Sequence, residues 1–215
     1  MSYFLRTLLL WPAILVQGLA VRARVPKLPE PPGDRQGRRG SGPPLRLLII
    51  GDSAAAGVGA QHQDEALLGQ LVSRLSPHHA VSWDLQAKTG DTTAEALARL
   101  DAMAPRHFDA TVTSLGVNDV TKMVRLGDWL HQQTLPRSVL KNKFSVDRLI
   151  ISGLPPMHAF PALPQPLRWH IGSRATEFNR ALQEDLAAED DTTFVDVRFT
   201  ADTTLMADDG FHPVS

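Results

Sequence analysis

The chain has no cysteine among its 215 residues. Disulfide bonds, thiolate metal sites and cysteine nucleophiles are therefore excluded, and neither a reducing nor an oxidising compartment is ruled out. The chain also has no excess of basic residues, because 22 Lys and Arg stand against 23 Asp and Glu, for a formal net charge of −1. Nucleic-acid phosphates select a strongly basic face, so we expect no nucleic-acid partner.

Long apolar runs are scarce, and the main one is residues 7–21. It is shorter than the roughly 20 residues of a membrane-spanning helix, and the basic residues Arg22, Arg24 and Lys27 follow it. Three interpretations of residues 1–24 stay open: a membrane-associated segment, a cleaved secretory signal, or a helix packed on the domain's own surface. The segment favours a membrane-associated or periplasmic location over a freely cytosolic one.

Residues 25–44 are rich in proline, glycine and arginine and show no hydrophobic periodicity. This composition predicts an extended linker between the apolar N-terminal segment and a folded domain. The domain is then expected to cover residues 45–215, which is long enough for one hydrophobic core of full size.

Short apolar runs alternate with amphipathic stretches from residue 45 onward. The pattern predicts five strands, at residues 45–50, 81–87, 110–115, 149–152 and 193–197. It predicts helices at residues 64–75, 92–103, 128–140 and 173–188, with Pro136 breaking or ending part of the third. Strands that alternate with helices indicate an α/β fold, a three-layer α/β/α sandwich around a mainly parallel sheet.

Four short motifs follow the ends of predicted strands. The first is Gly-Asp-Ser at residues 51–53, the second contains Gly90, the third contains Asn118, and the fourth is Asp-Gly-Phe-His-Pro at residues 209–213. Ligands of open α/β sheets bind at the carboxyl ends of the strands, so these motifs are expected to meet. A serine, a histidine and an orienting carboxylate are the parts of a nucleophilic hydrolase.

In the order and placement of these motifs, the chain resembles the SGNH, or GDSL-type, hydrolase family, whose markers are serine, glycine, asparagine and histidine. The resemblance runs from about residue 45 to the C-terminus. It implies a flavodoxin-like strand order, 2-1-3-4-5, with Ser53 at the switch point. It further implies Ser53 as the nucleophile and His212 as its base. Asp209, three residues before the histidine, is favoured over Asp208 as the orienting carboxylate.

The resemblance also implies an oxyanion hole. Its donors would be the backbone N–H groups of Ser53 and Gly90 and the side-chain amide of Asn118. Asp52 and Asp119 are predicted to have a structural role, as acceptors for backbone amides of the adjoining loops.

Each motif taken alone also has a structural explanation. A serine after a strand often caps a helix, an asparagine forms turns, and a histidine can simply lie at the surface. The glycines of residues 51–59 match neither a P-loop nor a dinucleotide fingerprint, so no nucleotide cofactor is expected. His78 and His79 have no third ligand near them in the sequence, so no metal is expected.

Two features bear on the surroundings of the site. Residues 153–168 form a long proline-rich loop, and such loops are often functional. We expect its apolar side chains to be exposed. They are candidates for an acyl pocket or a lid, and equally for packing over the sheet edge. The residues are Met157, Phe160, Leu163 and Leu167. The family pattern continues past its histidine with a final helix, whereas this sequence ends at Ser215. We therefore expect residues 209–212 to be more mobile than the sheet.

These observations predict a serine esterase that acts through an acyl-enzyme on a small-molecule ester, without metal or cofactor. Two alternatives stay open: acyl transfer by the same site, and a catalytically idle binding protein tethered to a membrane through residues 1–24. The sequence does not choose among carbohydrate acetyl esters, lysophospholipids, thioesters and aryl esters.

Overall fold

Strands and helices alternate along the part of the chain that the structure, a computed structural model, describes: residues 3–197, 207 and 209–212. The strands are β1 (Gln36–Arg39), β2 (Pro44–Gly51), β3 (Ala80–Ala87), β4 (Ala110–Ser114), β5 (Arg148–Ser152) and β6 (Thr192–Val195). The helices are α1 (Tyr3–Arg24), α2 (Ser53–Ala56), α3 (Leu67–Leu75), α4 (Thr93–Ala102), α5 (Val117–Thr121), α6 (Leu126–Phe144) and α7 (Leu167–Leu186).

The sheet has six strands in the order β1-β3-β2-β4-β5-β6. Strands β2 to β6 are parallel, and their order is the predicted flavodoxin-like one. The predicted strand count of five is wrong, because β1 pairs antiparallel with β3 at the edge. This strand lies inside residues 25–44, which were predicted as linker. Its four residues are all exposed, so no apolar periodicity indicated it.

The two faces of the sheet carry separate hydrophobic clusters, which makes the fold a three-layer sandwich. Along β2 the side chains alternate between them: Leu48 and Ile50 belong to the cluster that contains residues of α4, α6 and α7, and Leu47 and Ile49 to the cluster that contains α2 and α3. All four are almost completely buried. Strand β2 therefore has helices over both faces, as a doubly wound sheet requires.

The carboxyl ends of the parallel strands lie level with one another. Gly51, the last residue of β2, pairs with Ala87 of β3 on one side and with Ser114 of β4 on the other. Ser114 in turn pairs with Ser152 of β5. The loops that leave these strands consequently start at the same end of the sheet. Strand β2 lies at the switch point, where the strand order reverses, because β3 and β4 flank it on opposite sides.

Helix α6 differs from its prediction, because it continues through Pro136. A proline inside a helix removes one backbone hydrogen bond and crowds the preceding turn. The buried side chains of Trp129, Leu140 and Phe144 hold the helix against the core on both sides of that position. Tertiary packing thus outweighs the local cost of the proline.

The proline-rich loop at residues 153–168 also differs from its prediction. Its four apolar side chains are at most 4 % exposed and belong to the main core: Met157, Phe160, Leu163 and Leu167. The expected exposure is wrong, and the packing alternative describes this conformation. A single 3₁₀ turn, Met157–Ala159, interrupts the loop. A lid or acyl-pocket role would require the loop to open and stays a prediction.

Helix α1 is longer than the apolar run that predicted it and packs on the domain. Ile14 is buried in the main core, and Val21 packs against the same core. The Gln17 amide donates a hydrogen bond to the carbonyl oxygen of Gln165 (2.6 Å), and its oxygen accepts one from the Leu167 N–H (3.0 Å). By length and composition alone, residues 5–24 are also able to cross a membrane.

Candidate active site

Ser53 lies at a tight turn between strand β2 and helix α2. The carboxyl of Asp52 caps that helix by accepting the Ala54 N–H at 3.1 Å. Gly51 leaves no room for a side chain, since a Cβ there would overlap the Ala55 methyl group and the Ser114 carbonyl. The small residues of this stretch thus place the Ser53 hydroxyl at the carboxyl end of the central strand.

His212 and Asp209 reach Ser53 from the other end of the sequence. The Nε2 atom of His212 lies 2.8 Å from Oγ of Ser53, and its Nδ1 atom lies 2.5 Å from Oδ2 of Asp209. The other Asp209 oxygen accepts the backbone N–H groups of Phe211 (2.9 Å) and His212 (3.0 Å). The three predicted residues are therefore in direct contact, whereas Asp208 and Pro213 lie outside the described residues.

The carboxyl of Asp209 is buried yet favours its charged form. Burial alone would raise its pKa, but the N–H of Phe211, the ring of His212 and the N–H of His212 all interact with it and lower the pKa below its ordinary value. An ionised carboxylate on Nδ1 requires a proton there, which leaves Nε2 of His212 free to accept one from Ser53.

The segment that carries His212 rests on the proline-rich loop. The Phe211 ring meets the Phe160 ring edge-on, with centroids 5.6 Å apart at 80°. Gly210 has a φ of +67° and lies against Ala162, at a position where a Cβ would be tight. The loop that was considered as a lid therefore supports the histidine in this conformation.

Asn118 and Gly90 come from the loops after β4 and β3. The Nδ2 atom of Asn118 lies 2.9 Å from the carbonyl oxygen of Asp91 and 3.2 Å from Oδ2 of Asp52. Gly90 has a φ of +89°, and a Cβ built on it meets no atom within 4 Å. The backbone at Gly90 is consequently open to close approach, and the amide of Asn118 is oriented by two acceptors.

Buried carboxyl groups lie beneath these loops. Burial raises the pKa of Asp52 to about 7, and the neighbouring charges of Asp119 and Asp91 add to this. Burial also raises the pKa of Asp119, although the N–H and hydroxyl of Thr93 donate to its carboxyl. Asp52 and Asp119 accept hydrogen bonds from backbone amides, as predicted, but these amides, of Ala54 and Thr93, belong to the first turns of α2 and α4 and not to loops.

One contributor was missed from the sequence. The carboxyl of Glu30 accepts the backbone N–H (2.7 Å) and the hydroxyl (2.8 Å) of Thr89, directly before Gly90. Arg35 bonds Glu30 at 2.8 Å and also the carbonyl of Ala87. Glu30 lies 59 residues from Thr89 in a stretch without periodicity, so no sequence pattern indicated this contact.

Three side chains of the kind that bind metal ions lie close together at the amino ends of strands β4 and β5. They are His107, Asp109 and Asp147. Asp109 accepts the backbone N–H and two guanidinium N–H groups of Arg46, which lower its pKa to about 2. Ion pairing with Arg46 thus accounts for this carboxylate without a metal.

The doubly wound fold, the serine at its switch point and a match of most of the chain to a family of acylhydrolases define the class of protein: an α/β enzyme that hydrolyses carboxylic esters. The model of the GDSL-like Lipase/Acylhydrolase family matches residues 49–214. The chain therefore belongs to that family, as its four motifs indicated. No curated protein matches the chain.

Among the solved structures with this fold are two esterases and a lipase. The psychrotrophic esterase EstA from Pseudoalteromonas sp. is 21% identical with a TM-score of 0.56, covering 79% of this chain and 87% of its own. Axe2, an acetylxylan esterase from Geobacillus stearothermophilus, is 18% identical with a TM-score of 0.56, covering 80% and 88%. The lipase Lip_vut3 from a goat rumen metagenome is 17% identical with a TM-score of 0.55, covering 80% and 90%. At these identities the similarity concerns the fold.

Proposed function

We propose that the chain hydrolyses carboxylic esters through an acyl-enzyme formed on Ser53. The observation that carries this proposal is the 2.8 Å separation between Oγ of Ser53 and Nε2 of His212. It lies within the roughly 2.6–3.2 Å at which a base takes a proton from a nucleophile. Asp209, hydrogen-bonded to the other ring nitrogen, holds the tautomer that this transfer needs and stabilises the imidazolium that forms.

In the proposed reaction, His212 accepts and returns every proton that is transferred. As Oγ of Ser53 attacks the ester carbonyl, His212 takes the hydroxyl proton and then gives it to the leaving alcohol. A water molecule next loses a proton to His212 and attacks the acyl-enzyme. The acid product departs as the proton returns to Ser53, so the site is regenerated without a cofactor.

The oxyanion of both tetrahedral intermediates would be stabilised by the N–H groups of Ser53 and Gly90 and by the amide of Asn118. The open space at Gly90 suits a substrate oxygen that must approach the backbone closely. Asn118 has two acceptors on one nitrogen, so donation to an oxyanion exchanges the longer bond, the one to Asp52. Each such donor typically lowers the barrier by about 3–4 kcal/mol.

The substrate class that we propose is esters of small or medium acyl chains. The solved structures of similar fold include an acetylxylan esterase and lipases. Acetylated carbohydrates and lipid esters are therefore the two substrate types to compare, together with p-nitrophenyl esters of increasing acyl length. Esterification of an added alcohol in place of hydrolysis would instead favour the acyl-transfer alternative.

Turnover of p-nitrophenyl esters by the full chain tests the proposal. Ser53→Ala should lower kcat by about 10⁴-fold or more, whereas Ser73→Ala, at an exposed serine on α3, should leave it unchanged. A fluorophosphonate should label the wild type once, on the peptide that contains Ser53, as read by mass spectrometry. Activity that survives Ser53→Ala, or label on another residue, would show that the nucleophile is misassigned.

A further inference from the structure

Helix α1 contacts the domain with one face only. Ile14, Gln17 and Val21 are spaced three and four residues apart, so they lie on one side of the helix. Ile14 is 2 % exposed, and Gln17 makes both of its hydrogen bonds with the loop before α7. This face is therefore the one through which α1 is docked on the domain.

The opposite face of α1 is apolar and exposed. Leu8, Leu15 and Leu19 share that face by helical spacing, and their side chains are 61 %, 52 % and 62 % exposed. Further large apolar side chains exposed around the helix are Leu5, Leu9, Leu10, Trp11 and Val16. Away from α1, the described residues that expose a large apolar side chain are Leu135 and Val195. Soluble monomers seldom concentrate exposed apolar surface in this way, so the face is suited to an apolar partner.

Every charged side chain in the segment that contains α1 is basic. Residues 1–29 contain no aspartate or glutamate, and their basic residues are Arg6, Arg22, Arg24 and Lys27. A second copy of the chain would cover the apolar face but bring like charges together. Anionic lipid headgroups complement both features, because basic side chains bind the headgroups while apolar ones enter the acyl region.

We propose that α1 is an in-plane anchor whose exposed face enters the surface of an anionic bilayer while its opposite face stays docked on the domain. A helix that spans the bilayer would have to leave the domain, exposing the site of Ile14 and breaking both hydrogen bonds of Gln17. The in-plane arrangement retains these contacts and still covers the apolar face.

The anchor also places the candidate active site next to the lipid. The loop that Gln17 holds continues back to Ala162 and Phe160, which support Gly210 and Phe211 beside His212. Lipid esters gathered in the bilayer surface would therefore reach Ser53 without crossing bulk water. This last step rests on the proposed esterase function, whereas the anchor itself does not.

Vesicle flotation of the full chain tests the anchor. The chain should float with phosphatidylcholine vesicles that contain phosphatidylglycerol, and much less with phosphatidylcholine alone. Exchange of Leu8, Leu15 and Leu19 together for glutamine should weaken binding by at least about tenfold. The matched control, Leu135→Gln with Val195→Gln, should bind like the wild type. Loss of lipid binding in the control, or equal binding by all three proteins, would overturn the proposal.

A second variant guards against misfolding of the first. Exchange of Arg22, Arg24 and Lys27 for glutamine leaves the apolar face intact and should abolish the preference for anionic vesicles. Hydrolysis of soluble p-nitrophenyl acetate is recorded for each variant. Ester turnover without vesicle binding removes the anchor and leaves the esterase; vesicle binding without turnover does the reverse.

The depth of Trp11 distinguishes an in-plane helix from a spanning one, since Trp11 lies near the middle of α1. Brominated lipids with bromine near the headgroup should quench its fluorescence more than lipids with bromine near the chain end, against Trp11→Phe as background. Stronger quenching from the chain end would mean a spanning helix and overturn the proposal. A mature protein that begins after α1, or lipid-independent dimers lost in the leucine variant, would overturn it as well.

Discussion

The side-chain amide of Asn118 donates a hydrogen bond to the buried carboxyl of Asp52, with Nδ2 and Oδ2 3.2 Å apart. Asp52 directly precedes Ser53, and Asn118 belongs to the loop after β4, so this bond joins two loops of the candidate site. The same nitrogen also meets the carbonyl of Asp91 in the loop after β3. Three loops that leave adjacent strands are thereby held in one arrangement before any substrate binds, and in the proposed reaction the amide would exchange its bond to Asp52 for one to the oxyanion.

Asn118→Ala tests the proposed role of this amide. Loss of one oxyanion donor should lower kcat for p-nitrophenyl acetate by about 10²–10³-fold with little change in KM, because the donor acts on the transition state. Asn142→Ala, at an exposed asparagine on α6, is the matched control. An Asn118→Ala enzyme with the wild-type kcat would remove Asn118 from the oxyanion hole.

Asp52→Asn should change how stability depends on pH. Burial raises the pKa of Asp52 from 3.8 to about 7 in the folded protein. An acid with a raised folded-state pKa stabilises the fold fully below its unfolded pKa, and this contribution is lost as the pH rises through the folded value. The wild type should therefore lose free energy of unfolding relative to Asp52→Asn between about pH 4 and pH 7.

Urea unfolding across that pH range measures the difference, with Asp190→Asn as a control at an exposed aspartate. Glu95 and Asp109 have lowered pKa values of about 2, so their own transitions fall below this range. Parallel stability curves for the wild type and Asp52→Asn would mean that the carboxyl of Asp52 is ionised in the fold at low pH.

Two substitutions at Asp209 should separate charge from loop geometry. Asp209→Asn keeps an oxygen for the N–H groups of Phe211 and His212 but removes the negative charge beside the His212 ring, so kcat should fall by about 10³–10⁴-fold. The Tm should fall slightly, because the lowered pKa of Asp209 means that its charge stabilises the fold. Asp209→Ala loses the acceptor too and should cost about 1–3 kcal/mol of stability in addition. Thermal unfolding and ester turnover together decide. A fully active Asp209→Asn enzyme would contradict the proposed triad.

A pair of glycine substitutions should separate activity from folding. At Gly90 a Cβ meets no neighbouring atom, so Gly90→Ala should fold with a cost of about 1–2 kcal/mol from its positive φ and should impair turnover. At Gly51 a Cβ overlaps Ala55 and Ser114, so Gly51→Ala should lower the Tm much further. Circular dichroism melts and kcat/KM for the two variants provide the comparison, and the reverse order of Tm loss would contradict it.

The doubly wound core was predictable because its signals are local. Leu47 to Ile50 form an apolar run long enough for one strand buried on both faces, and the serine motif stands directly after this run. The contact of His212 with Asp209 was implied by a family pattern in which the carboxylate stands three residues before the histidine. Strand β1 was not predictable, since its residues are polar and exposed and its contacts, backbone pairing with β3 and the bond from the Gln36 amide to Asp84, leave no apolar pattern.

Contacts between distant loops were beyond the sequence for a different reason. The bond from Asn118 to Asp52 joins residues 66 apart, and Glu30 meets Thr89 across 59 residues. Both contacts depend on the tertiary arrangement of the segments at the carboxyl ends of the strands. Hydrophobic periodicity in the sequence contains no information about that arrangement. Pro136 shows the converse case, in which a strong local signal is overruled by buried side chains on either side.

Residues 30–44, which precede strand β2, determine where this enzyme can be shortened at its N-terminal end. An enzyme that began at residue 45 would lose β1, the Asp34 carbonyl that bonds the Trp83 indole, and the Glu30 carboxyl that holds Thr89. Cutting instead between Arg24 and Glu30 would keep these three contacts, although it would uncover the site of Ile14 and lose both hydrogen bonds of Gln17. A catalytic fragment that lacks α1 should therefore start about fifteen residues earlier than composition suggests, well beyond the length of an ordinary connecting loop.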